Sequence, residues 1–430
     1  MHRRTQAIAA EEKYGVAWVF GKLGPGLITG ASDDDPSGIA TYSQAGAQFG
    51  FGLLWTMLFS YPLMAVIQEI CARIGRVTGA GLAGNIRKNY PRPILYSTVL
   101  LLCFANIFNL GADIGAMAAA AQLLVPGPAT AYVLLFGVLS LVLETLVRYN
   151  SYLKYLKWLT AALLAYVATV FVVRVPWGQA IRATLFPSIS FQSNYFTALI
   201  AVLGTTISPY LFFWQASEEA EDVSVNPGEM PLRKAPWQAT KQLERIKIDT
   251  YIGMGFSNLV AFFIILCTAA TLHAAGKQVE TSAQAALALE PLAGHLAFLL
   301  FALGIVGTGL LAVPVLAGSA AYALAETFKW RASLELKAGE APRFYGVIAM
   351  ATLVGVALNF VGLDPIRALF WAAALNGIVS VPLMVMTMLM SGNSKIMGNF
   401  TISRALKTMG WMATAVMLLA SVGFFATLGK

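Results

Sequence analysis

Gly24-Pro25-Gly26-Leu27-Ile28-Thr29-Gly30-Ala31-Ser32-Asp33-Asp34-Asp35-Pro36-Ser37-Gly38 places three consecutive carboxylates and a proline between apolar stretches. A charge at the centre of a bilayer costs on the order of 3 kcal/mol, so ionisable groups inside a spanning segment are usually retained for a substrate or ion pathway. Proline lacks a backbone donor and glycine favours unwinding, so the pattern predicts a broken helix. Unwinding frees backbone carbonyls, which together with a carboxylate make an oxygen-rich socket for a cation.

The surrounding chain supports a membrane setting. Of its 430 residues 58% are hydrophobic and 12% charged, with mean hydropathy +0.69, against about 45–50% and about 25% in soluble domains. The chain reads as an all-α polytopic membrane protein. Hydropathy resolves about eleven segments of the roughly 20 residues that a hydrocarbon core requires. They lie at 23–47 (broken), 51–72, 94–123, 129–147, 152–173, 195–217 (broken), 248–273, 295–325, 344–362, 365–390 and 406–428.

The net charge of +8 is spread over short loops and does not gather into a nucleic-acid-binding patch. With the N-terminus inside, 24 of the 29 basic residues fall in inside segments, leaving Arg174, Arg182, Lys277, Arg367 and Lys430 outside. That bias predicts a bacterial-type inner (plasma) membrane protein with its N-terminus cytoplasmic and its C-terminus outside. Cys71, Cys103 and Cys267 lie within or beside apolar segments without metal-ligand spacing, and read as core residues. Met1-His2-Arg3-Arg4 leads into polar and acidic residues, unlike the layout of a cleaved secretory signal.

A second break matches the first. Thr205-Thr206-Ile207-Ser208-Pro209-Tyr210 interrupts the sixth segment as Pro36 interrupts the first, and each opens a run of five. Five crossings reverse the starting side, so the two runs form a 5+5 inverted repeat, and paired breaks of this kind point to a midplane site where the halves meet. The expected organisation is a cytoplasmic segment at 1–22, a first repeat at 23–174, an extracytoplasmic loop at 175–194, a second repeat at 195–390, and a loop with the eleventh span at 391–430. The polar stretch from Ala216 to Arg245, acidic first and basic later, reads as a solvated loop.

These residues resemble the natural resistance-associated macrophage protein (NRAMP) family of divalent metal transporters. Gly24-Pro25-Gly26 and Asp35-Pro36-Ser37-Gly38 are similar to that family's Gly-Pro-Gly and Asp-Pro-Gly-Asn signature. Gln48-Phe49-Gly50, Ala72-Arg73-Ile74-Gly75-Arg76-Val77-Thr78-Gly79, Tyr90-Pro91-Arg92 and Ala112-Asp113 follow in order. The resemblance implies a LeuT-like architecture, alternating access, and a divalent ion held between unwound helices one and six. It implies Asp35 as the metal-ligating aspartate and the Thr205 carbonyl as a ligand. The departures are as informative. Gly38 replaces the signature's asparagine, Ser208 replaces the methionine of a Met-Pro-His motif, Tyr210 replaces its histidine, and Gln215 replaces a further one. Soft thioether sulfur favours transition ions, whereas a hydroxyl is a hard donor. A site of Asp35, backbone carbonyls and Ser208, with Asp34 or Asn376 as further candidates, suits a hard cation such as Mg2+ or Mn2+ that keeps some waters. NRAMP-related magnesium transporters likewise lack the methionine.

Asp33 and Asp34 carry two readings: a proton site, or carboxylates that face an aqueous vestibule and attract cations. The resemblance marks Asp113 as an aspartate associated with proton movement, but the glutamate expected three residues on is Ala116. Glu69 with Arg73 and Glu144 with Arg148 have the i,i+4 spacing of structural ion pairs. Asn376 and Ser380 share a face of the tenth segment and serve either the ion or interhelical hydrogen bonds, while Asn106 and Asn109 read as packing residues. Gly304-Ile305-Val306-Gly307-Thr308-Gly309 has the spacing of close helix contact. The function expected is inward secondary transport of divalent metal ions, with the metal as substrate, no cofactor and no enzymatic constellation. A proton-coupled Mn2+/Fe2+ symporter and a carrier of amino acids or other organic solutes on the same scaffold are the alternatives. The bilayer, the metal ion and protons are the expected partners, and a monomer satisfies this reading.

Overall fold

A computed structural model of the protein describes residues 29–30, 32–146 and 161–428. Twelve principal helices lie among them: α1 Pro36–Phe49, α2 Leu54–Thr78, α3 Arg92–Gln122, α4 Ala129–Leu146, α5 Leu164–Val172, α6 Ser193–Thr206, α7 Pro209–Val225, α8 Ala239–Thr268, α9 Ala297–Phe328, α10 Pro342–Leu358, α11 Pro365–Ser391 and α12 Arg404–Thr427. Among the described residues nine helical runs are long and apolar enough to cross a membrane. Eleven segments were expected. The first run, Pro36–Thr78, holds two of them, divided at Gly50, whose φ of 56° suits glycine. The fifth is described only from residue 161 and appears as the short apolar helix Ala161–Val172.

Two pairings have the same form: α1 packs on α8, and α7 packs on α2. Each joins the half-helix that follows a break to the next full segment of the other half, as a two-fold related repeat requires. α3 lies against α9 and α11, and α6 against α11, which closes the middle of the bundle. Small residues set how closely these helices approach. A Cβ on Gly204 would sit 2.1 Å from the Ala373 carbonyl oxygen and 2.4 Å from the Gly377 nitrogen, so α6 and α11 touch backbone to backbone. Gly309 has the role its spacing predicts, since a Cβ there would meet Met117 of α3 at 2.6 Å. Asn106 ties the same two helices, donating to the Leu316 carbonyl at 3.0 Å and Ser319 Oγ at 2.7 Å. Cys71 and Cys267 are buried and all three cysteines are free, as core residues should be.

The stretch expected to be a solvated loop departs from that reading. Helix α7 runs on to Val225, carrying Glu218, Glu219, Glu221 and Asp222 in helical conformation. Arg76, at the end of α2, is wholly buried and pairs with Asp222 at 2.7 Å and with Glu229. Arg245 of α8 pairs with Glu219 at 2.6 Å. Three of the five acidic residues, Glu219, Asp222 and Glu229, thus pair with Arg76 of α2 or with Arg245 at the basic end of the same stretch, while Glu221 accepts from Tyr322 and Ser333, which composition along the chain does not display. Glu69 and Arg73 form their expected pair at 2.5 Å. Glu144 accepts from Thr352 of α10 at 3.1 Å, and Arg148 lies outside the described residues.

Candidate cation site at the paired helix breaks

Both breaks are built alike. Residues 32–33 are helical, Asp34 bends, and Asp35 is extended at φ −67°, ψ 169°, acting as N-cap of α1 with Pro36 in the first turn. In the sixth segment α6 ends at Thr206, and Ser208 is extended at φ −83°, ψ 130° as N-cap of α7, with Pro209 in the first turn. Proline is suited to this place because the first helical N–H has no intrahelical acceptor to lose.

Asp35 is 1% exposed. Its Oδ1 accepts from Ser37 Oγ at 2.6 Å and from the Gly38 amide at 2.7 Å, which is ordinary capping chemistry. The N-terminal end of α1 favours its negative charge. Its Oδ2 accepts from Asn109 Nδ2 of α3 at 2.9 Å. Asn109, expected to act in packing, therefore belongs to the site. It also donates to Asp113 at 3.3 Å and accepts from Asn376 of α11 at 3.3 Å, joining three of the polar residues around the first break. A polar residue four positions before Asp113, one helical turn away on the same face, was the signal that could have marked it.

Asp33 and Asp34 do not face open water. They are 0% and 3% exposed, and Ser257 Oγ of α8 lies 2.6 Å from Asp33 and 3.1 Å from Asp34. The consecutive carboxylates thus divide between two sides of the break: Asp35 toward α3 and α11, Asp33 and Asp34 toward α8. Close passage of the backbone allows this, because a Cβ on Gly30 would lie 2.4 Å from the carbonyl of Gly253 in α8.

At the second break Ser208 Oγ donates to the carbonyls of Gly204 and Thr205, at 2.8 Å each. Its proton is turned back onto α6 while its lone pairs stay available. Thr205 lies beside the first break as well, its Oγ1 3.1 Å from where a Cβ on Gly38 would be. Tyr210, in the place of the family's histidine, donates to the Ser32 carbonyl at 2.8 Å, and Gln215 accepts from Thr29, so both tie the sixth segment to the first. Ser380 bonds back to the Gly377 carbonyl of its own helix at 2.8 Å, while Asn376 reaches across to α3. The donors gathered here are carboxylates, hydroxyls, carbonyls and amides. The negative C-terminal end of α6 adds carbonyl density suited to a cation.

Two discontinuous helices meeting at a buried carboxylate within an all-helical membrane bundle define a secondary transporter of LeuT-like architecture. The chain belongs to the Nramp family of transporters: residues 26–427 match the family described as natural resistance-associated macrophage protein-like. It is similar to the divalent metal cation transporter MntH of Klebsiella pneumoniae, 26% identical over 407 residues that cover 92% of this chain and 91% of that protein. Its fold is similar to the solved structure of the Eremococcus coleocola manganese transporter, with TM-score 0.75 and 18% identity over 97% of this chain and 90% of that one. A wider fold likeness joins it to MhsT in complex with L-phenylalanine, with TM-score 0.57 and 13% identity over 93% and 98% of the two chains.

Proposed function

We propose that this protein carries divalent cations across the membrane, inward, by alternating access at the paired breaks, and that it favours hard cations, Mg2+ or Mn2+. One observation carries the reading: at the position where the family motif has a thioether, the residue that opens the second half-helix is Ser208, a hydroxyl whose proton is bonded back to the Gly204 and Thr205 carbonyls, while Asp35 opens the first. Mg2+ is bound through few carboxylates and keeps several waters, whereas sulfur recruits softer ions. Asp35 and the Thr205 carbonyl are the primary ligands in this reading. Ser208 and Asn376 are auxiliary donors, and Asp34 is set aside toward α8. Similarity to MntH of K. pneumoniae and to the E. coleocola manganese transporter supports a divalent metal as substrate.

A second reading, proton-coupled Mn2+/Fe2+ symport, draws on the chain of hydrogen bonds from Asp35 through Asn109 to Asp113 and on the Asp33 and Asp34 pair, which are groups able to hold protons. The organic-solute alternative is disfavoured by the carboxylates at the break. Uptake of Mg2+, Mn2+, Ca2+ and Cd2+ into proteoliposomes, with a pH dye enclosed, separates these readings. Mg2+ and Mn2+ entry without acidification is the expected outcome. Cd2+ entry with acidification and inert Mg2+ would support the symporter and overturn the hard-cation reading.

A further inference from the structure

The loop expected at 175–194 holds a short helix, Trp177–Leu185, whose side chains divide round its axis into three sectors. Successive helical residues are about 100° apart, so Trp177, Ile181 and Leu185 share one stripe about 80° wide. Ala180, Ala183 and Thr184 share a second sector, in which Ala180 is buried and the other two are half-buried. They turn toward the bundle, where the helix packs on α2 and on the turn Gly50–Leu53 that joins α1 to α2. Gly178, Gln179 and Arg182 make up the third sector and are exposed. The stripe is exposed as well, although it is apolar: Trp177 is 43%, Ile181 55% and Leu185 51% accessible.

We propose that this helix lies flat in the surface of the bilayer, with its apolar stripe in lipid, Arg182 among the headgroups and Ala180 against the protein. A helix lying beside a membrane bundle meets protein, lipid and water on three sides, and the three sectors match those surroundings. Continuity with a spanning segment argues for lipid as the occupant. The ring of Trp177 lies 6.4 Å from that of Phe171, the exposed apolar residue near the end of α5, and Phe171 lies 6.3 Å from Phe263 of α8. Tryptophan is enriched at membrane–water interfaces, where its ring sits in apolar surroundings and its N–H stays wet. A second copy of the chain fits less well, because three side chains fall short of the about 20–30 residues a side that a stable protein interface uses. Seated in the bilayer surface, the helix holds the turn Gly50–Leu53 at headgroup level, and with it the end of α1 remote from the break.

The test uses the full-length protein with its three native cysteines replaced, carrying either Ile181→Cys or Gln179→Cys labelled with the environment-sensitive dye NBD and reconstituted into lipid nanodiscs. Lipid bearing a doxyl group near the top of its acyl chain should quench the label at 181 about threefold more than that at 179, and aqueous iodide should show the opposite preference. Equal iodide quenching at the two positions would put the stripe in water and overturn the proposal. Protection of 181 from both quenchers, together with disulfide-linked dimers of the unlabelled Ile181→Cys protein, would assign the stripe to a second copy and overturn it as well. If a labelled variant does not fold, tryptophan fluorescence decides the matter. Brominated lipid must then remove more emission from the wild type than from Trp177→Phe at equal protein concentration, and equal losses overturn the inference.

Discussion

At the scale of single residues, the chemistry of the site turns on which oxygens remain available. Asp35 is buried, caps α1 and holds Asn109, so it has a structural role beside the ligand role proposed for it. Asp35→Asn keeps the shape and removes the charge. Its uptake should fall to that of empty liposomes while gel-filtration behaviour in detergent stays unchanged; uptake near the wild-type rate would place the ion elsewhere. Ser208→Met exchanges a hydroxyl bonded to the Gly204 and Thr205 carbonyls for a soft sulfur. Competition of Cd2+ against Mg2+ uptake should rise by about tenfold, equivalent to about 1.4 kcal/mol. An unaltered competition curve would mean that this side chain does not meet the ion. Pro36 and Pro209 marked the two breaks in the sequence, and the structure makes the residues before them, Asp35 and Ser208, the N-cap residues of α1 and α7. The sequence placed Asn109 one turn before Asp113, but the bond from Asn109 to Asp35, 74 positions away in the chain, comes from the tertiary structure.

At the scale of elements, glycines and buried charges decide which helices meet. Gly204 and Gly377 bring α6 and α11 into backbone contact beside the second break. Gly204→Val would push a side chain into the Ala373 carbonyl, and overpacking of this kind costs about 1–3 kcal/mol. A lowered midpoint in thermal unfolding, accompanied by reduced uptake, is the expected outcome. The Arg76 cluster joins α2, α7 and the Glu229 turn, with Arg245 of α8 sharing Glu219. Removing one partner from a buried pair costs about 3–5 kcal/mol, and partial exposure of Asp222 and Glu229 places Arg76→Ala at the lower end. Thermal unfolding should show a fall larger for Arg76→Ala than for Arg76→Lys. Equal midpoints for both variants and wild type would show that the cluster contributes nothing to stability.

At the scale of the whole molecule, the inverted repeat and the charge bias make one testable statement about orientation. Lys277 and Arg331 are both exposed, one following the seventh expected span and the other the eighth. Single cysteines at 277 and 331, introduced where the three native cysteines have been replaced, should differ in labelling of intact cells by a membrane-impermeant thiol reagent. Position 277 should react and 331 should not until the cells are opened. The reverse pattern would invert the topology read from the basic residues. Matching pairs, α1 with α8 and α7 with α2, give this whole-molecule arrangement its two-fold character.

The sequence by itself determined the membrane class, the positions of the apolar segments, both helix breaks and the family. Each of these rests on local signals: hydropathy over about 20 residues, proline in the first turn, and short motifs in order. Only the tertiary structure decided the partition of the three aspartates, with Asp35 toward Asn109 and Asp33 and Asp34 toward Ser257. It also decided that the acidic end of the sixth segment folds as helix against Arg76 and Arg245. The reason is physical: in a water-poor interior every buried charge and amide must find its partner among side chains brought there by packing. Those partners come from segments far apart in the chain, so no local pattern encodes them.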